Sequence, residues 1–134
     1  MPVALEIVSP EKLLLSRSVE MVVIPALEGD MGVLAGHTPM IVTLRGGTID
    51  LYEGDRVTDR LFVAGGFAEV TSSRCTVLAD EAVPVGELDR AVAERRLSEA
   101  EAEYAVVSKN GAAAEDLALD RVQAARAMVA AAGG

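Results

Sequence analysis

All five prolines of this 134-residue chain fall at or before Pro84, and nine of its twelve glycines fall at or before Gly86. Beyond that point the composition turns to Ala, Glu and Arg, with fifteen alanines between Glu87 and Gly134. Proline and glycine interrupt helices and shape turns, so the first part cannot be built from long helices, whereas the second is suited to them. Pro84-Val85-Gly86 is the natural link. The expected organisation is a mainly β region over 1–84 followed by a helical region over 85–134.

The first region reads as short strands. Leu5 and Ile7 alternate with Ala4 and Glu6, and Ser9-Pro10-Glu11 breaks the run before Leu13-Leu14-Leu15. Glu20 to Pro25 is a short buried run; Met40, Val42 and Leu44 share a face; Ile49 and Leu51 lie between polar neighbours. Glu53-Gly54-Asp55 predicts a hairpin turn, and Gly65-Gly66 follows the apolar run Leu61 to Ala64. Phe67 to Thr71 and Arg74 to Asp80, separated by Ser72-Ser73, complete the set. Strands this short with regularly recurring turns indicate an antiparallel β-sandwich or barrel. Aromatic residues are 3% of the chain and Trp is absent, so the core must be aliphatic.

The second region reads as a two-helix hairpin. Leu97, Ala100, Tyr104 and Val107 follow helical spacing, and Arg90–Glu94 and Arg95–Glu99 are spaced to pair on the solvent side. Ser108-Lys109-Asn110-Gly111 predicts the stop, with Asn110 or Gly111 suited to a left-handed cap. Glu115 and Asp116 favour a new N-terminus, and Ala118, Val122, Ala125, Val129 and Ala132 form a narrow stripe. Stripes this thin bury little area, so the pair must dock on the sandwich, on each other or on a partner. A hairpin able to choose among surfaces is a candidate mobile element.

The most informative local stretch is Glu28-Gly29-Asp30-Met31-Gly32-Val33-Leu34-Ala35-Gly36-His37-Thr38-Pro39. It holds three glycines, a proline, two carboxylates and the only histidine of the chain. It predicts an exposed loop between strands, either a plain turn or a contact loop on a rigid scaffold. The formal net charge of -9 disfavours nucleic acid and anionic lipid as partners. No apolar stretch nears the ~20 residues of a membrane span, and neither a signal peptide nor a transit peptide is apparent. Membrane association is therefore expected through a partner, without direct insertion. The single Cys75 lies in an apolar alternation, as a buried thiol would.

No catalytic constellation emerges. One histidine and one cysteine make a poor zinc or copper ligand set. There is no G-x-S-x-G elbow, and Gly65-Gly66-Phe67 is not a phosphate loop. Neither a cofactor nor a metal is expected. The residues alone point to an all-β region with a helical tail that works by binding something, rather than to an unrelated β-sandwich enzyme.

The wording of several stretches is similar to one family. Val8-Ser9-Pro10-Glu11, the Glu28–Pro39 stretch, Ala64-Gly65-Gly66-Phe67-Ala68-Glu69-Val70 and Val77-Leu78-Ala79-Asp80-Glu81-Ala82 together resemble the epsilon subunits of bacterial F-type ATP synthases, and the likeness spans the chain. The resemblance implies a non-catalytic central-stalk subunit. Its sandwich would grip the gamma subunit, rest on the ring of c subunits and help couple rotation to ATP synthesis. The complex would sit on the cytoplasmic face of the bacterial plasma membrane, with this chain peripheral. Asp30 and its neighbours Glu28, Gly29 and Met31 match the family's ring-facing loop. His37 matches a segment meeting both gamma and the ring, or is a satisfied turn histidine. Ser9 matches a gamma-facing position.

In that family the tail either folds on the sandwich or extends toward the alpha and beta subunits, where it inhibits ATP hydrolysis. Some members hold ATP on the folded tail, which makes an ATP-sensing regulatory module the alternative reading. Here Leu88, Asp89 and Ala93 match the nucleotide motif, but Val92 replaces its arginine. Arg121 matches on the second helix, Ala125 replaces a second arginine, and Arg126 is displaced by one position. Lost guanidinium groups remove phosphate-facing charge, so ATP binding is expected to be weak or absent. Asp89 then has an alternative use as a helix cap. From Glu87 onward, six basic and nine acidic residues give a net charge of -3. Such a tail is poorly charged for an acidic target, so a reduced inhibitory role is expected.

Overall fold

The computed structural model describes residues 2–107 and 112–133. Ten strands come first: β1 (Val3–Val8), β2 (Leu13–Val19), β3 (Met21–Ala26), β4 (Gly29–Val33), β5 (Met40–Leu44), β6 (Gly47–Glu53), β7 (Arg56–Val63), β8 (Gly66–Val70), β9 (Arg74–Ala79) and β10 (Ala82–Pro84). A short 3-10 turn, Val85–Glu87, leads into helices α1 (Arg90–Val107) and α2 (Ala112–Gly133). The expected left-handed cap at Asn110 or Gly111 lies outside the described residues.

The strands form two layers joined at one corner. One layer runs β4-β3-β6-β7-β10 and the other β5-β8-β9-β1-β2. They meet where Ala26 of β3 pairs with Leu44 of β5. Flanking backbone bonds, Leu27 N–H to the Thr43 carbonyl and Arg45 N–H to the Pro25 carbonyl, both 2.9 Å, complete the join. Pro25 has no N–H with which to extend the ladder to β6, and that ladder ends at Val23–Asp50.

Period-two alternation builds the core. Val3, Leu5 and Ile7 of β1 face inward, as do Val22 and Ile24 of β3, Ile49 and Leu51 of β6, Leu61 and Val63 of β7, and Cys75 and Val77 of β9. All are buried and none is aromatic, as the composition requires. Each strand thus gives one face to a shared aliphatic interior about 10 Å thick.

Three features differ from the expectation. The Glu28–Pro39 stretch is not one loop, because Gly29–Val33 pairs with β3 as an edge strand, leaving Glu28 in the turn before it and Leu34–Pro39 irregular after it. Two glycines in five residues disguise a strand that tolerates them at an open edge. Second, β1 runs parallel to β9, from Ala4↔Arg74 to Val8↔Leu78, among otherwise antiparallel pairs. Third, β10 is a three-residue strand on the edge of β7.

The helices pack as an antiparallel hairpin through Ala100, Val122 and Ala125, with Leu97 and Tyr104 beside them. Tyr104 Oη donates to Glu115 Oε1 at 3.2 Å, which raises the phenol's pKa. Arg121 pairs with Glu103, and Arg126 lies 3.8 Å from Glu101. The hairpin covers the outer face of the β6–β7 layer. Between inward-facing Leu61 and Val63, Phe62 points the other way yet is fully buried against Ala93 and Met128. An ion pair of 2.7 Å joins Arg96 of α1 to Glu81 of the sandwich.

Candidate functional site

Among the described residues, helices cover the outer face of one layer and leave most of the other bare, with Thr43 and Phe67 at the border of the cleft beside the helices. The outward residues of this second layer are set by strand register. Thr43 is opposite Phe67, Phe67 opposite Leu78, Leu78 opposite Val8, and Val8 opposite Leu13. The result is a row across β5, β8, β9, β1 and β2. Phe67 is 55% exposed, Leu78 53% and Leu13 55%, with Ile41 farther along β5 at 74%. Single exposed apolar side chains are ordinary, but a contiguous row on a rigid sheet marks a surface made to be covered.

The loops around this face carry the residues singled out by sequence. At one end, Ser9 closes the β1–β2 turn. Its N–H donates to the Lys12 carbonyl at 2.9 Å, and Lys12 N–H donates to Ser9 Oγ at 3.3 Å. Ser9 directly follows Val8 and so borders the apolar row. The tip of the β3–β4 hairpin lies at the same end. There Leu27 and Glu28 are exposed, Gly29 opens β4 at φ 144°, which only glycine takes readily, and Asp30 and Met31 follow it in the strand. Met31 packs partly against the core. Asp30 Oδ1 accepts a 2.6 Å hydrogen bond from Arg45 Nη2, so this carboxylate already has an internal cation as its partner.

His37 lies at the opposite end. The loop holding it is pinned by Gly36 N–H donating to the Ser72 carbonyl at 2.6 Å, and His37 Nδ1 is 2.8 Å from the Thr38 carbonyl. That distance makes Nδ1 the protonated nitrogen of the ring. Ser9 and Asp30 thus lie at the same end of the sandwich, and His37 lies at the opposite end, about 16 Å away along the strand direction, the length of a five-residue strand.

Leu88, Asp89, Ala93 and Arg121, which match the nucleotide motif, and the displaced Arg126 all have structural employment. Asp89 caps α1, its Oδ1 accepting from Ala91 N–H at 2.8 Å and Val92 N–H at 3.2 Å. Ala93 is fully buried against Phe62, and Leu88 packs into the same cluster. Arg121 and Arg126 face the glutamates of α1. An open cleft of about 790 Å³ separates the tail from the sandwich, and of these five only Arg121 lines it.

Nucleophilic chemistry has little support. Burial pushes the Cys75 thiol up to about 11, so it is protonated and enclosed. Among the described residues no three potential metal ligands cluster, and no helix is long and apolar enough to cross a membrane. Sequence reasoning missed Phe62, Met128 and the exposed Ile41, Phe67 and Leu78. For Phe62 and Leu78 the signal was present in the uninterrupted apolar runs Leu61-Phe62-Val63 and Val77-Leu78-Ala79, where both faces of a strand are apolar.

The family model described as "ATP synthase, Delta/Epsilon chain, beta-sandwich domain" matches residues 2–85. The chain is 66% identical over 129 residues to the ATP synthase epsilon chain of Granulibacter bethesdensis, covering 96% of both proteins. It is 48% identical over 134 residues to that of Gluconacetobacter diazotrophicus, covering 100% of this chain and 95% of the relative. Among solved structures, a chain of the Euglena gracilis mitochondrial ATP synthase OSCP/F1/c-ring assembly is similar with a TM-score of 0.76 and 28% identity, over 97% of this chain and 81% of that one. A chain of the Tetrahymena thermophila mitochondrial central stalk and c-ring shares the fold, with a TM-score of 0.54 and 14% identity over 66% of this chain and 70% of that one.

Proposed function

The chain belongs to the family of ATP synthase delta and epsilon chains, and on that premise we propose that it is a non-catalytic coupling subunit of the central stalk, joining the gamma subunit to the c ring. The observation that carries this reading is the bare apolar face of Leu13, Ile41, Phe67 and Leu78. A partner lying along that face from end to end would meet Ser9 at one end and His37 at the other, the two positions that resemble gamma-facing residues. Gamma is therefore assigned to this face. The hairpin tip with Glu28, Gly29, Asp30 and Met31 is assigned to the ring. Coupling then has a simple physical basis. A stiff two-layer sheet fixed to gamma over one broad face and to the ring at one end transmits torque without storing much of it.

In the same reading, residues 1–84 supply the coupling and residues 85–134 are a regulatory appendage with a reduced inhibitory role. The tail's arginines support this, since Arg90, Arg96, Arg121 and Arg126 are all engaged with the chain's own glutamates in the docked state. The complex is assigned to the cytoplasmic face of the bacterial plasma membrane, with this subunit peripheral. The test is ATP hydrolysis and ATP-driven proton pumping by an ATP synthase stripped of this subunit, with either the full chain or a version ending at Val85 added back. Equal recovery of pumping, with little inhibition from either, is expected. Failure of both to restore pumping would overturn the coupling role, and strong inhibition by the full chain alone would overturn the reduced role of the tail.

A further inference from the structure

Gly46 occupies the corner between β5 and β6, and its φ is not in the positive range. Its backbone would therefore accept a side chain. What that side chain would meet is α2. A Cβ built on Gly46 falls 2.6 Å from Ala124 Cα, 3.1 Å from Ala124 Cβ and 3.4 Å from Ala124 N. A contact that close to backbone cannot be relieved by a rotamer change, so either the corner or the helix has to move. The corner is held. Arg45 N–H is bonded to the Pro25 carbonyl at 2.9 Å, and a Cβ on Gly47 would already lie 2.8 Å from Pro25 Cβ. The helix is held less firmly, by Phe62 against Ala93 and Met128 and by the exposed Arg96–Glu81 pair.

We propose that Gly46 is the determinant of the tail's docked state: the missing side chain at this corner is what lets α2 lie on the sandwich, and any side chain there releases the tail while leaving the sandwich intact. The docked state then needs no ligand to hold it, because the sandwich presents a recess at Gly46 and an apolar anchor at Phe62. This inference rests on contacts within the chain and stands apart from the assignment of gamma and the ring.

The test is hydrogen exchange read by mass spectrometry on the full chain, comparing the wild type with Gly46→Ala, Phe62→Ala and Gly86→Ala. Gly86 serves as the control, since a Cβ there meets nothing within 4 Å. In Gly46→Ala, exchange across Ala118–Ala132 should quicken by about ten-fold or more, the effect of ordinary overpacking at a contact. The strands β1 and β9 should keep their wild-type protection. Phe62→Ala should act in the same direction, and Gly86→Ala should leave α2 unchanged. Exchange of α2 in Gly46→Ala within about two-fold of wild type would overturn the proposal. So would faster exchange spread equally over β1 and β9, which would make Gly46 a requirement of the sheet. A ten-fold effect of Gly86→Ala on α2 would likewise refute the claim that position 46 is special.

Discussion

Replacing Phe67 by alanine should weaken assembly while leaving the chain folded. An aromatic side chain offers about 150–250 Å² for burial. With 55% of Phe67 exposed, roughly 80–140 Å² is left for a partner to cover. At ~25 cal/mol per Å² this is worth about 2–3.5 kcal/mol if covered completely. Alanine retains some of that contact, so the loss should be about 2 kcal/mol, or about 30-fold in Kd. The isolated chain should also lose about 1–2 kcal/mol of stability, because the truncation removes the roughly half of the side chain that is already covered within the sheet. The assay is titration of the chain, labelled at its N-terminal amine, into an F1 sector stripped of this subunit. Cys75 is unsuitable for labelling because it is buried. Val106→Ala, at a residue 66% exposed on α1, is the matched control and should leave affinity unchanged. If Phe67→Ala binds as tightly as the wild type, the bare face is not the interface with gamma. If instead its melting transition collapses, Phe67 supports the fold in a way the packing does not suggest.

Asp89→Ala removes an acceptor for two backbone N–H groups and should cost about 1 kcal/mol, seen as faster exchange at Ala91 and Val92. Cys75 introduces a pH dependence with a definite sign. Its thiol titrates near 11 in the folded chain against an ordinary 9.0, so its stabilising contribution is complete below pH 9. As pH rises the unfolded state loses its proton first, and about 2–3 kcal/mol should be lost between pH 9 and 11. Cys75→Ala should flatten that slope in denaturant titrations at stepped pH. Calorimetric titration with ATP should show no saturable binding in the submillimolar range, and a saturable isotherm would restore the nucleotide-sensing reading.

Much of the fold was legible because it is written in local alternation. Leu5 and Ile7, Val42 and Leu44, and Ile49 and Leu51 each point into the core as their spacing predicts. The aliphatic interior follows from a chain with so few aromatics, and the helical tail from its loss of proline. What escaped was set by distant partners. The parallel pairing of β1 with β9 has no signature near either strand. Strand β4 was hidden because Gly29-Asp30-Met31-Gly32 has the composition of a turn. Phe62 and Phe67 look alike in sequence, each following an apolar or turn residue in a strand. Yet one is buried beneath α2, and the other stays half exposed at the cleft beside the helices, because the tail packs on only one layer. The candidate site was half legible. Asp30 was singled out, but its internal partner Arg45 comes from another turn. Met128 fell beside the expected stripe of α2 because 128 and 129 both satisfy helical spacing from Ala125.

The parallel pair also governs the order in which this chain can fold. β1 is flanked by β2, which arrives at once, and by β9, whose Cys75 sits opposite Leu5 seventy residues later. The first hairpin emerges from the ribosome early but has one edge open until residue 79 is available. At about 5–20 residues per second, that wait is roughly 4–14 s. Throughout it the apolar strand Val3–Val8 presents unpaired backbone, the condition under which strands find the wrong neighbour. Non-local closure of this kind slows folding and makes it all-or-none. The layer that gamma would grip therefore stays unfinished until β9 is made, so a shorter nascent chain offers no finished docking face to the stalk.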